Sequence, residues 1–170
     1  MGILEQLKAR VEQVQEGLAS GSFVREVIST HGEDILAYQR HQLLRGLASS
    51  GEDMRPYYSE DLKPMGRFYS VETAGRYAAM KQDGIRYPYS VDRNPDAPNL
   101  YFNGRFHDEL GVQFDAAVVA IVGTTSYAKK IISKYGESSF GLMAEYWGKV
   151  WEDCGAYAEL LTKLKDELNG

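Results

Sequence analysis

The sequence predicts an α+β fold in which a small antiparallel sheet packs with helices. Apolar residues recur at helical spacing near both ends of the chain, two short β-type runs follow residue 109, and irregular segments rich in tyrosine and proline separate them. Of the 170 residues, 44% are hydrophobic and 25% are charged, which is typical of globular proteins. We expect an N-terminal amphipathic helix over residues 1–21, which could be an arm, and a single α+β domain over residues 22–170.

The first helix is predicted from a narrow apolar stripe. Spacings of three and four residues alternate along it, which puts its members on one face of a helix. Packing on the parent domain is the favoured use of such a stripe, and a coiled-coil arm is the alternative. The stripe consists of Leu4, Leu7, Val11, Val14 and Leu18.

Three elements are predicted between residues 23 and 82. A second helix spans Phe23 to Thr30, and His31 suits the negative end of its dipole. Residues 35–44 alternate apolar and polar side chains in part, which favours a strand, although the composition also allows a helix. A further helix runs from Val71 to Gln82, with Ser70 as its N-cap.

The second half of the chain carries the predicted sheet. LGVQF and AVVAIVGT, joined by Asp115 and Ala116, are predicted to form an antiparallel pair whose second strand is buried on both faces. Before them, Asn103-Gly104 favours either a hairpin turn or a cap that opens a short helical turn. A short helix capped by Ser126 follows, and then a long C-terminal helix with a stripe from Met143 to Leu168.

Composition excludes several classes of protein. A net charge of −5 argues against a general grip on nucleic acid, and no apolar run approaches the roughly 20 residues of a membrane helix. The single cysteine, Cys154, excludes an internal disulfide and lies within the C-terminal stripe, so we expect a small buried apolar side chain. The phosphate-binding glycine motifs of common nucleotide enzymes are absent from the sequence.

No catalytic, cofactor or metal site is predicted. His107, Asp108 and Glu109 are adjacent, and adjacent side chains on regular secondary structure point in different directions, so they cannot converge on one ion. We therefore expect a protein that is not an enzyme. A hydrolase that depends on His41, His107 or Ser126 is an alternative.

Tyrosine is concentrated in the irregular segments, because seven of the twelve tyrosines fall between residues 57 and 101. Tyrosine gives a large contact area together with a hydroxyl group that suits the wet edge of an interface. These loops could fold onto their own domain or order against neighbouring subunits, and the second is favoured slightly. The predicted interface residues are Tyr57, Tyr58, Tyr69, Tyr87, Tyr89 and Tyr101.

The segment from residue 99 to residue 147 supplies a resemblance. The run from Leu100 to Phe106, LYFNGRF, is similar to the LxxTGxL turn that precedes a strand pair in the virion-morphogenesis proteins of tailed bacteriophages. Asn103 stands where that family commonly has Thr, and Phe106 stands where it has Leu. The resemblance covers about residues 36–165, and its other motifs are PYYS, YAAMK, SYAKKIISKYG and SSFGL.

The resemblance implies a structural role. Members of this family are non-enzymatic tail-completion and head–tail connector proteins of the phage neck, and they assemble into rings. It implies a homo-oligomeric ring that contacts portal, neck and tail proteins, and that lets DNA pass without binding it specifically. The expected location is the virion neck or tail, reached from the host cytoplasm during assembly, with no membrane contact. A small-ligand or host-protein binding module that uses the same aromatic loops is the alternative.

Overall fold

The protein is described by a computed structural model that covers residues 3–60, 70–83, 92, 94–101, 103–115, 118–124 and 126–169. Within these residues the α+β class is confirmed, because helices accompany one two-stranded antiparallel sheet. Short β1 and β2 span Leu110–Asp115 and Val118–Gly123. The helices are α1 Ile3–Ala19, α2 Ser22–Thr30, α3 Gly32–Arg45, α4 Val71–Gln82, α5 Arg105–Asp108, α6 Ala128–Tyr135, α7 Ala144–Glu152 and α8 Ala156–Asn169, with a 3-10 turn at Glu137–Ser139.

The chain divides into two compact units. The first contains residues 1–35, 112–120 and 145–170, and the second contains residues 36–111 and 121–144. The border falls inside α3 and inside both strands. The N-terminal helix therefore belongs to the same unit as the C-terminal helix, and it packs there against α2 and α8.

The first unit is built around α2 and the C-terminal helices. Its buried apolar side chains include Phe23, Val27, Ile28, Tyr146 and Val150. The expected helix over 23–30 is confirmed as α2, and His31 is its C-cap residue, with its backbone N–H bonded to the Ile28 carbonyl.

The strand favoured over residues 35–44 is wrong, because the chain forms helix α3 there. The side chains that α3 buries are Ile35, Leu36, Gln39, Gln42, Leu43 and Leu44, which follow helical spacing. Two of these six positions are glutamines, which a hydrophobic pattern counts as polar. The apparent alternation of apolar and polar residues therefore concealed the buried face of a helix.

The second unit contains α4, α5, α6 and the segments that join them. α4 has the predicted bounds, and the Ser70 side chain accepts a hydrogen bond from the Thr73 amide at 3.2 Å, as expected of an N-cap. Asn103-Gly104 opens the helical turn α5, with Gly104 at φ 84°, so the capping alternative is the one observed.

The antiparallel strand pair is confirmed, but its predicted burial is wrong. β2 is only half-buried along most of its length, and Val118 is 60% exposed. A two-stranded sheet covers little of either face, so an apolar sequence does not ensure burial on both sides.

A long C-terminal helix is confirmed as α8, although the helical stretch predicted from Met143 onward is interrupted. α7 ends at Glu152, and Gly155, in the left-handed region at φ 89°, immediately precedes α8. The apolar spacing continues across the break. Cys154 lies at this break and is half-buried.

Candidate functional site

The first candidate region is a polar cluster in the second unit, centred on buried Asn99. The Asn99 side-chain oxygen accepts a hydrogen bond from the Tyr101 amide at 3.0 Å and from the Tyr58 hydroxyl at 3.3 Å. The Tyr58 hydroxyl in turn accepts a hydrogen bond from the Asn99 amide at 3.2 Å. Tyr58 and Asn99 thus fix the backbone of two segments that have no regular secondary structure.

His107 extends this cluster from α5. Its Nε2 lies 3.2 Å from the Asn99 carbonyl, and because a carbonyl only accepts, Nε2 carries the hydrogen. The ring also makes edge contacts with Tyr101 and Phe106, at centroid distances of 5.5 and 5.8 Å. Burial lowers the pKa of His107 to about 4, and the Lys81 cation acts in the same direction against the bond to Asn99. The imidazole is therefore neutral at pH 7.

Two further side chains tie α4 to the loops. Lys81 is buried, and its ammonium donates a hydrogen bond to the Tyr101 carbonyl. Asp96 accepts hydrogen bonds from Gln82 Nε2 at 2.8 Å, from the Ser59 amide at 2.9 Å and from the Ser59 hydroxyl. Partial burial opposes ionisation of Asp96, but these bonds outweigh it and lower the pKa of the carboxyl group.

The predicted interface tyrosines that the structure describes are bonded within their own chain. Tyr58 is buried, and Tyr101 is half-buried against His107 and Lys81. The Tyr57 hydroxyl donates to Asp53 at 2.9 Å, which raises the pKa of Tyr57, and the Arg55 guanidinium lies 3.8 Å from its ring centroid. The remaining three, Tyr69, Tyr87 and Tyr89, lie outside the described residues.

The three side chains of the hydrolase alternative have different surroundings. His41 is exposed on α3, and Ser126 is exposed just before α6. His107 is buried, with one ring nitrogen committed to Asn99. Among the described residues, no group of three or more His, Cys, Asp or Glu side chains could hold a metal ion.

The second candidate region is the α1–α8 pair in the first unit. Arg10 Nη1 lies 3.4 Å from the Leu168 carbonyl, and Gln13 Nε2 lies 2.9 Å from the Glu167 carboxylate. Further along, Gly17 meets Phe23, whose ring lies 5.1 Å from the Lys163 ammonium. Residue numbers fall along α8 as they rise along α1, so the two helices run antiparallel.

α1 packs through a face that is not its most apolar one. Arg10, Val14 and Gly17 are its only half-buried or buried residues, and every residue from Ile3 to Ala9 is exposed. Because Arg10 lies beside Leu168, near the end of α8, these first turns extend past the helix that holds α1. Ile3 and Leu4 are 84% and 82% exposed.

α8 also packs through polar residues and leaves apolar residues exposed. Glu159, Lys163 and Glu167 face α1 and α2, through contacts with Thr30, Glu26 and Gln13 respectively. The apolar side chains Tyr157, Leu161 and Leu168 are exposed instead. Eight of the twelve large exposed apolar side chains of the described residues lie on these two helices. We call this set the α1–α8 apolar face: Ile3, Leu4, Leu7, Val11, Leu18, Tyr157, Leu161 and Leu168.

The sequence predicts the apolar stripe on α1, but it does not predict that most of the stripe is exposed. A stripe of Leu and Val normally marks the face that a helix buries in its own domain. Here the contact is set by Gly17, because a Cβ at this position would lie 2.5 Å from the Phe23 ring. The glycine lets α1 approach α2 closely, and this approach turns the apolar stripe toward solvent.

Comparison of the chain with models of protein families, with curated protein sequences and with solved structures finds no match. None of the helices in the described part of the chain is long and apolar enough to cross a membrane.

Proposed function

We propose that this chain is a non-enzymatic assembly subunit, and that it serves in the head–tail connector or tail-completion ring of a tailed phage. The observation that carries the proposal is the α1–α8 apolar face, which a single chain leaves exposed to water. Large contiguous apolar surfaces on soluble domains mark sites of association. Burying such side chains stabilises an interface by roughly 25 cal/mol for each Å² of apolar surface removed from water.

The polar residues of the second unit support a structural role. Tyr58, Asn99, His107 and Lys81 make the described hydrogen bonds to loop backbone or to each other. Asp96 joins the loop at Ser59 to the Gln82 side chain of α4. Such bonds would hold loops in a fixed shape, as a subunit that presents them to neighbours requires. The virion context rests on the resemblance of residues 36–165.

The aromatic-loop alternative, a module that binds a small ligand or host protein, has less support. Its binding surface would need free tyrosine side chains, whereas Tyr58 is buried and the hydroxyl of Tyr57 is bonded to Asp53. A thermal-shift screen that found a stabilising small molecule, with the effect lost in Tyr57→Ala, would favour this alternative.

The association itself can be tested by mass measurement in solution over a range of concentrations. We expect the mass to rise with concentration, and Val11→Glu to abolish the rise, because a carboxylate would be buried in the interface. Val71→Glu is the matched control, since Val71 is an equally apolar exposed residue on α4. It should leave association unchanged.

The neck assignment needs a second experiment. The chain is co-expressed with the portal and neck proteins of the phage that encodes it, and the purified complexes are imaged by negative stain. Ring-shaped particles that contain the chain are expected. A chain that stays monomeric at every concentration and joins no neck component would overturn the proposal.

A further inference from the structure

We propose that two free copies of this chain pair through the α1–α8 apolar face, with α1 antiparallel to α1 of the second copy. The pairing rests on the proposed function, because it names what covers the face before assembly. The resulting contact is a four-helix arrangement of α1 and α8 from each copy.

The first argument is that the two apolar stripes lie on the same side of the α1–α8 pair. On α1, Val11 and Leu18 each follow a contact residue, Arg10 and Gly17, by one position. On α8, Leu168 likewise follows Glu167. One position is a rotation of about 100° around a helix. Because the helices are antiparallel, equal rotations in the same sense bring both stripes to one side.

The second argument is that this surface has the width an interface needs. A stable contact buries about 800 Å² on each partner, more than one narrow helical seam provides. The 17 residues of α1 span roughly 26 Å, and α8 adds a second row of apolar side chains beside them. The exposed turns Ile3–Ala9 extend past α8 of their own chain, where α8 of an antiparallel partner would lie.

The third argument is the distribution of charge along α1. Its first part, residues 3–10, carries Glu5, Lys8 and Arg10 and is net positive by one charge, whereas its second part carries Glu12 and Glu16 and is net negative by two. Antiparallel pairing of two α1 helices places each basic part against the acidic part of the other. Parallel pairing would place like charges together. Antiparallel helix dipoles favour the same arrangement.

The pairing is two-fold symmetric and therefore closed. The same patch serves both copies, so a third chain has nothing left to bind. Neighbours in a ring of identically oriented subunits cannot use a two-fold contact. The paired state is accordingly the form of the free protein, and the two copies separate when the face binds neck neighbours during assembly.

Cysteine cross-linking tests the register. In a Cys154→Ala background, Val11→Cys should form a disulfide with Val11→Cys of the second copy under mild oxidation. Val11 lies on the two-fold axis when Leu4 of each copy lies opposite Leu18 of the other. Leu4→Cys alone and Leu18→Cys alone should not form disulfides with themselves, but a mixture of the two should form the mixed disulfide. Val71→Cys is the control and should remain without a cross-link, since Val71 is exposed outside the face.

The outcomes separate the pairing from the proposed function. Self-cross-linking of Leu4→Cys would show a parallel contact and overturn the pairing, as would a Val11→Cys chain that stays monomeric. If the free chain is monomeric but still enters neck particles, the pairing is overturned and the proposed function is supported. If the predicted cross-links form but the chain joins no neck component, the pairing is supported and the virion role is contradicted.

Discussion

Gln42 donates a hydrogen bond from its side-chain Nε2 to the carbonyl of Gly141 across 2.9 Å, although 99 residues separate them in sequence. The same amide group accepts from the Met143 backbone N–H at 2.8 Å. One turn earlier on α3, Gln39 makes the equivalent pair of bonds with the Ser139 carbonyl and the Gly141 amide. The two glutamines therefore hold an extended segment along a helix as a neighbouring strand would.

We expect Gln42→Leu to destabilise the protein even though leucine is apolar and of similar size. The substitution leaves the Gly141 carbonyl and the Met143 amide without these partners in a partly buried position, at about 1–3 kcal/mol for each unsatisfied group. Denaturant unfolding followed by circular dichroism measures the loss. Gln113→Leu, at an exposed position in β1, is the control and should change the free energy of unfolding little.

The buried neutral His107 predicts a pH dependence of stability. Below pH 6.5 the unfolded chain binds a proton that the folded chain excludes until about pH 4, so the free energy of unfolding falls over this interval as the pH decreases. The loss is about 3 kcal/mol in total. His107→Gln keeps a donor for the Asn99 carbonyl but does not titrate, so the variant should lack this component. Identical pH profiles for the two proteins would contradict the prediction.

A matched pair of glycine substitutions tests the packing of α1. Gly17→Ala should lower the free energy of unfolding by about 1–3 kcal/mol, because the added methyl group would lie 2.5 Å from the Phe23 ring. Gly75→Ala, in α4, meets no atom within 4 Å and should stabilise the protein by about 0.5–1 kcal/mol. Thermal or denaturant unfolding of both variants gives the comparison. Equal effects would show that α1 does not approach Phe23 as described.

Asp96→Asn should destabilise the protein by about 1–3 kcal/mol, since the donors of Ser59 and Gln82 would lose a charged acceptor. The lowered pKa of Asp96 means that its contribution is present above the ordinary carboxyl pKa near 3.9 and is lost as the pH falls below it. The wild-type protein should therefore lose more stability in acid than the variant. Asp153→Asn, at an exposed position before α8, serves as the control for unfolding measurements.

Local signals in the sequence predict a helix or strand correctly where that element is stabilised by its own residues. The helix over 71–82 was predicted to its ends, because Ser70 caps it through a bond between near neighbours. The antiparallel pair was predicted because β-branched residues flank a short connection. In α3 the same reasoning failed, since the partners that bury Gln39 and Gln42 lie about 100 residues away.

The candidate surfaces divide in the same way. The spacing of Leu4 and Val11 shows the apolar stripe on α1, and the spacing of Leu161 and Leu168 shows the apolar stripe on α8. Which side of α1 packs was decided by Gly17 against Phe23, a contact between two helices. Tyr58 is among the predicted interface residues, and the tertiary structure adds that its hydroxyl donates to the side chain of Asn99, 41 residues away.

The sequence by itself determined the fold class, most helix boundaries and the existence of an apolar stripe at each end of the chain. Each of these depends on periodicity and on bonds within a few residues. Only the tertiary structure decided that the α1 stripe, apart from Val14, remains exposed and that buried glutamines hold the 139–143 segment in place. Burial depends on which surfaces meet, and polar groups can be buried wherever distant backbone satisfies their hydrogen bonds.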